Sequence, residues 1–187
     1  MSCYCSRQSV DVQPANYELP VESGDSPLVI FGSRAYASQP GSVRDRAERV
    51  LGELSSRGLD EPDYIVSGGA DGADAVAEAV SMLLGVPMIL LSVGEPSEST
   101  IFRRETADNQ WVVKTVTTYG GPDKDPRSGG GAYLTRNCLM AELVANYGGA
   151  AFATYDGESA GTDHMLDSCH DHGVDTIELW RYDVADQ

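Results

Sequence analysis

Short apolar runs along the chain alternate with amphipathic stretches. Leu28 to Phe31 is such a run, closed by a glycine, which is the pattern of a buried parallel strand. Similar runs follow at residues 64–66, 86–91, 149–154 and 174–180. Helical spacing of apolar positions is found between them, at residues 42–57, 72–84, 134–147 and 160–172. Strands that alternate with helices of this length form βαβ units. The sequence therefore predicts an α/β fold in three layers, a parallel sheet with helices on both faces.

Two segments depart from this alternation. Residues 1–26 are polar and aperiodic, which predicts a flexible N-terminal arm. Residues 92–131 hold three prolines, several glycines and a β-branched run, and we expect a functional or mobile insertion there. The predicted organisation is one domain over 27–187 that carries this insertion at about 92–131.

The charge balance is strongly acidic. The chain has 29 Asp and Glu against 13 Lys and Arg, a net charge of −16, and its only lysines are Lys114 and Lys124. Such a composition is typical of halophilic proteins, in which salt screens the repulsion; an ordinary acidic cytosolic protein is the alternative. No apolar run is long enough to span a membrane, and the first residues lack an apolar signal core. We expect a cytoplasmic protein with no membrane partner.

Metal binding has little support in the sequence. Cys3 and Cys5 are one residue apart, which fits neither zinc nor redox spacing. The three histidines, His164, His170 and His172, are not spaced to share one helical face. The sequence predicts neither a metal site nor a cofactor.

Glycine-rich turns follow the predicted strands, where the ligand of a parallel α/β sheet lies. Gly32-Ser33-Arg34 offers a sharp turn, a hydroxyl and a guanidinium that suits phosphate; a plain turn with a surface arginine is the alternative. Residues 67–74 (SGGADGAD) open a helix whose amides can face an anion, and one of its aspartates is expected to cap that helix. Residues 156–162 (DGESAGT) repeat this pattern.

A fourth segment, Thr135-Arg136-Asn137, opens a predicted helix. An arginine at a helix start opposes the helix dipole, so we expect Arg136 to serve a ligand; a solvated side chain is the alternative.

The order of these four segments resembles the SLOG superfamily, and within it the YspA-like branch, over about residues 27–180. The resemblance implies a Rossmann-like three-layer fold that binds a nucleotide or a nucleotide-derived ligand. With Ser159, whose hydroxyl lies beside the turn amides, the candidate ligand-binding residues are Gly32, Ser33, Arg34, Gly68, Gly69, Asp71, Gly72, Asp74, Arg136, Asn137, Gly157, Ser159, Gly161 and Thr162.

Two relatives within this superfamily suggest other functions. The Lonely Guy phosphoribohydrolases have a motif similar to Arg136-Asn137 and to Gly161-Thr162, but Met165 stands at their glutamate position and cannot move a proton. The DNA-processing protein A family has similar glycine turns. A net charge of −16 disfavours nucleic acid as a partner.

The leading prediction is a nucleotide-binding or nucleotide-sensing module whose partner is a nucleotide-derived small molecule. Enzymatic activity is uncertain and less favoured; it would be N-glycosidic or phosphate hydrolysis of a nucleotide. A structural or virus-borne domain with an idle pocket is a further alternative. The sequence does not decide between a monomer and a homo-oligomer.

Overall fold

Six strands and five helices make up the part of the chain that the computed structural model describes, residues 21–38, 40–70, 72–94, 98–107, 109, 111–116, 130–155 and 158–180. The strands are β1 (Pro27–Gly32), β2 (Tyr64–Ser67), β3 (Met88–Val93), β4 (Trp111–Val116), β5 (Ala150–Tyr155) and β6 (Asp175–Trp180). The helices are α1 (Val43–Ser56), α2 (Ala73–Leu84), α3 (Glu98–Glu105), α4 (Gly130–Asn146) and α5 (Ala160–Asp171). A 3-10 helix, Arg34–Ser38, follows β1.

The strands form one sheet in the order β4-β3-β2-β1-β5-β6, and each neighbouring pair is parallel. The chain proceeds outward from β1 to β4 and then returns to the other side of β1 with β5. The direction of winding therefore reverses between β1 and β5, and ligands of open α/β sheets bind beyond the strand ends at such a switch point.

Helices cover both faces of the sheet. Alternate side chains of β1 point to opposite faces: Leu28 and Ile30 pack with α1 and α2, whereas Val29 and Phe31 pack with α4 and α5. These four side chains are buried, so β1 lies at the centre of the fold. The predicted α/β fold in three layers, of Rossmann-like type, is confirmed.

The segment 92–131 differs from its prediction as an insertion. It contributes α3 and β4, and β4 pairs with β3 along six residues from Met88↔Trp111 to Val93↔Val116. The β-branched run therefore extends the sheet as its outermost strand on that side. Residues 117–129 of this segment lie outside the described residues. So do residues 1–20, which are most of the predicted N-terminal arm.

Helix α4 begins earlier than its prediction. It starts at Gly130, whereas the apolar spacing predicts a start near Leu134, because the glycines that precede Tyr133 indicate a loop. Arg136 consequently lies in the second turn of the helix, and the prediction that it opens the helix is wrong. Among the described residues, no helix is long and apolar enough to cross a bilayer.

Candidate functional site

The turn after β1 is packed directly against β5. The amide of Ser33 donates to the Thr154 carbonyl oxygen at 3.0 Å, and a side chain on Gly32 would overlap the carbonyl and hydroxyl oxygens of Thr154. The Ser33 hydroxyl accepts a hydrogen bond from the Ala35 amide at 3.0 Å, which helps to start the 3-10 helix. Arg34 is exposed immediately beyond this buried turn. The close contact between the two strand ends therefore requires Gly32 and presents Arg34 at the switch point.

The turn after β2 is held by side chains from distant elements. The carbonyl oxygen of Gly68 accepts a hydrogen bond from Arg136 Nη1 at 3.0 Å, and a Cβ on Gly68 would lie 2.6 Å from that nitrogen. Gly69 has a φ of +70° and faces Leu90 of β3, whose Cδ1 would lie 2.7 Å from an added Cβ. The two glycines therefore make room for an arginine and a leucine of the protein itself.

Gly72 brings the turns of β1 and β2 together. Its φ is +86°, and an added Cβ would lie 2.7 Å from the Arg34 Cα and 2.8 Å from the Ser33 carbonyl oxygen. Gly72 is the N-cap of α2, and no side chain caps the helix there. The prediction that an aspartate of this turn caps the helix is therefore wrong for Asp74, while Asp71 lies outside the described residues.

Asp74 is the buried acidic group of the site. Its Oδ2 accepts a hydrogen bond from the Ala70 amide at 2.8 Å, which closes the turn before α2. Burial raises the pKa of Asp74, and the positive charges of Arg136 and Arg34 partly oppose that rise. The Asp74 carboxyl therefore interacts electrostatically with both arginines, one from α4 and one from the turn after β1. Both arginines lie at the same edge of the sheet.

Arg136 is stacked on an aromatic ring that the sequence prediction missed. Its guanidinium carbon lies 5.4 Å from the ring centroid of Tyr133, within the range of a cation–π interaction. Arg136 Nη2 approaches Asn137 Oδ1 at 3.5 Å, and among the described residues the buried Nε has no hydrogen-bond partner. Tyr133 is 42% exposed. The edge thus presents an aromatic ring beside a positioned cation.

The start of α5 is joined to α4 rather than open to a ligand. Asn137 Nδ2 donates to the Gly161 carbonyl oxygen at 3.1 Å. Ser159 is the N-cap of α5; its hydroxyl accepts from the Thr162 amide at 3.4 Å and from the Thr162 hydroxyl at 3.0 Å. The hydroxyls expected beside a ligand are therefore engaged in capping. Gly157 lies outside the described residues.

A second exposed aromatic side chain belongs to α3, the helix that contacts the β2 turn through Thr100. Phe102 of α3 is 67% exposed, and Thr100 of the same helix approaches the Gly69 carbonyl oxygen with its hydroxyl at 3.5 Å. The sequence signal for Phe102 and Tyr133 is an aromatic residue close to arginine, Phe102-Arg103-Arg104 in one case and Tyr133 three residues before Arg136 in the other. Phe102 lies in the segment predicted as an insertion, and Tyr133 lies just beyond its end.

Two other kinds of candidate chemistry, nucleotide hydrolysis and metal binding, find no support among the described residues. Met165, which the sequence resemblance compares with the glutamate of the phosphoribohydrolases, is 1% exposed and belongs to the core between the sheet and α4 and α5. Across the described part of the chain, no group of three His, Cys, Asp or Glu side chains is placed to hold a metal ion.

The fold and the arrangement of its turns define a Rossmann-like α/β domain with a polar, arginine-bearing edge at the switch point. No protein-family model and no curated protein matches the chain. Among solved structures it is similar to DNA processing protein A from Helicobacter pylori, with 20% identity and a TM-score of 0.52 over 83% of this chain and 66% of that one. That structure is described by its unique single-stranded DNA binding mode. DNA processing protein A from Streptococcus pneumoniae is also similar, with 20% identity and a TM-score of 0.42 over 82% of this chain and 58% of that one.

Two sequence predictions are corrected by this comparison. The prediction of a nucleotide-derived small ligand is wrong, because the solved structure that shares the fold is described as binding single-stranded DNA. The prediction that disfavours nucleic acid as a partner is wrong on the same finding. Its reasoning used the net charge of −16, which averages the whole chain, whereas a binding edge depends on its local charges. The structure adds that Arg136, Leu90 and Arg34 fill the space at three glycines expected to admit a small ligand.

Proposed function

We propose that the carboxyl edge of the sheet binds single-stranded DNA. The observation that carries this proposal is the Arg136–Tyr133 pair, an exposed aromatic ring with a guanidinium held beside it by the Gly68 carbonyl. Bases of a single strand stack on such rings, and arginine contributes to the stacking while it neutralises phosphate. The described binding mode of the Helicobacter pylori protein supports the same class of ligand for this fold.

Two further features support a strand that runs across this edge. Arg34 is exposed at the neighbouring strand end, where its backbone packs against Gly72. Phe102 offers a second exposed ring on α3. Other candidate residues have structural roles in the proposal. The glycines Gly32, Gly68, Gly69 and Gly72 allow the turns to pack closely, and Asn137 connects α4 to α5 by a hydrogen bond.

The acidic surface sets the strength of this binding. With two arginines in contact with phosphate, the logarithm of the binding constant falls with the logarithm of salt concentration with a slope of about −1.4. Salt also screens the repulsion between the DNA and the net charge of −16, which makes the slope shallower still. We therefore propose moderate affinity that depends on stacking as well as on charge.

Fluorescence anisotropy of a labelled oligothymidylate of about 20 nucleotides tests the proposal. The protein is expected to bind the single strand saturably and a duplex of equal length more weakly, because paired bases cannot stack on protein rings. Tyr133→Ala is expected to lower the affinity at least about fivefold, the loss of one stacked base.

Arg136→Ala has a matched control in Arg57→Ala. Both remove one positive charge, but Arg57 follows the end of α1 at the opposite edge of the sheet, where it pairs with Glu53. Arg136→Ala is expected to weaken binding about tenfold, and Arg57→Ala to leave it nearly unchanged. An absence of binding by the unaltered protein, or equal losses in the two variants, contradicts the proposal.

We propose further that the chain belongs to the YspA-like branch of the SLOG superfamily and that it is a binding protein rather than an enzyme. The order of its four motifs supports the branch. The burial of Met165 supports the absence of phosphoribohydrolase activity, because a thioether in the core cannot assist bond cleavage. Chromatography for free base released from AMP tests this, and steady turnover contradicts it.

A further inference from the structure

An ion pair with a buried carboxylate joins α2 to α3. Glu78 of α2 is 1% exposed, and both of its carboxylate oxygens accept hydrogen bonds from Arg103 of α3: Oε2 from Nε, and Oε1 from Nη2 at 3.1 Å. A carboxylate buried to this degree is tolerated when it is paired, and a two-point pair with a planar guanidinium fixes the orientation of both side chains.

The contacts of this pair continue to the β2 turn. Arg103 Nη2 also donates to the Thr100 hydroxyl at 3.1 Å, and that hydroxyl lies 3.5 Å from the Gly69 carbonyl oxygen. Thr100 is 1% exposed. Gly69 is the neighbour of Gly68, whose carbonyl holds Arg136. Polar contacts from Glu78 to Gly69, and the peptide that joins Gly69 to Gly68, therefore connect Glu78 to the Arg136–Tyr133 pair.

We infer that Glu78 is a positioning residue for DNA binding: through Arg103 and Thr100 it holds α3 and the Gly68–Gly69 turn in the arrangement that presents Arg136 to the strand. The inference rests on the proposed function. Glu78 does not contact the DNA, since its side chain is buried beneath α3. Without the carboxylate charge of Glu78, Arg103 loses its ion pair, and α3 and the turn are no longer fixed relative to α4.

The sign of the effect separates positioning from electrostatics. Glu78→Gln removes one negative charge and should therefore strengthen binding to a polyanion if charge alone matters. We expect the opposite, an affinity for the same labelled oligothymidylate weaker by roughly three- to tenfold. Glu48→Gln is the matched control: it makes the same change of charge in an exposed pair with Arg44 on α1 and is expected to leave binding unchanged or slightly tighter.

Thr100→Val provides a second variant that leaves the ion pair and the net charge intact. It removes the hydroxyl between Arg103 and Gly69 and is expected to weaken binding by a similar factor, with a melting temperature close to that of the unaltered protein. This variant decides the matter if Glu78→Gln does not fold. Unaltered affinity in a folded Glu78→Gln protein, or in Thr100→Val when only that variant folds, overturns the inference and leaves the proposed function standing. An unaltered protein that binds no oligonucleotide overturns both.

Discussion

Gly68→Ala displaces Arg136 without changing any charge. A Cβ at this position would lie 2.6 Å from Arg136 Nη1, and an ordinary contact is about 3.5 Å, so the guanidinium must retreat by about 1 Å. The backbone of Gly68 is not left-handed and accepts alanine. The displaced group loses its hydrogen bond to the Gly68 carbonyl and its position over Tyr133.

The variant is expected to fold well and bind poorly. A hydrogen bond from a charged donor is worth about 1.5–3 kcal/mol, less here because Arg136 is partly exposed and water replaces the contact. Replacing glycine with alanine lowers the conformational entropy of the unfolded chain and stabilises the folded protein by about 0.4–1 kcal/mol. The free energy of unfolding from urea titration should therefore change little, while the oligonucleotide affinity falls about tenfold.

Gly161→Ala is the control for this experiment. An added Cβ there meets nothing within 4 Å, and the carbonyl that accepts from Asn137 is retained. It should bind DNA as the unaltered protein does and be up to about 1 kcal/mol more stable, as alanine is in a helix. If Gly68→Ala binds as tightly as Gly161→Ala, the position of Arg136 does not matter to binding and the reasoning fails.

Three further predictions concern stability. Gly72→Ala should lower the free energy of unfolding in urea by at least about 2 kcal/mol, because its φ of +86° and the nearby Arg34 backbone both reject a side chain; a loss below about 1 kcal/mol refutes this. Asp74→Asn should be more stable than the unaltered protein at about pH 8. Burial raises the pKa of Asp74 in the folded protein, so ionisation of this carboxyl lowers the free energy of unfolding at pH values above its usual pKa of 3.8. The advantage of the variant should shrink toward about pH 4, and an advantage that does not depend on pH is the contrary result. Thermal melts in about 0.1 M and about 2 M potassium chloride should show a higher melting temperature at high salt, because the screening length falls from about 10 Å to about 3 Å or less around a net charge of −16; an equal or lower value opposes the halophilic prediction.

The central strands could be predicted from sequence because both faces of β1, β2, β3 and β5 are buried and their residues are therefore continuously apolar. The outermost strand β4 was missed for a physical reason. It is followed closely by Gly120, Gly121 and Pro122, which indicate a loop, and it pairs with β3. The same bias toward loops placed the start of α4 four residues late, at Leu134 rather than Gly130.

The sequence indicated that the candidate turns follow strands, but it did not indicate which side chains contact them. The turns at Gly32 and Gly68 do follow neighbouring strands, as their spacing after apolar runs indicates. The hydrogen bond from Arg136 to Gly68 joins residues 68 positions apart, and no local pattern encodes it. The Tyr133–Arg136 stack needs only helical i, i+3 spacing and would follow from a helix that begins at Gly130.

A nuclear magnetic resonance titration of the isotope-labelled 20.0 kDa chain with single-stranded oligothymidylate tests the central claim most directly. The account predicts amide shifts that grow saturably at the strand ends and at the first turns of α4, in residues 32–36, 67–74 and 133–137. Amides at the opposite edge, in residues 57–62, should not move. Shifts confined to that opposite edge, or no shifts at any concentration of DNA, would contradict the assignment of this edge as the DNA-binding surface.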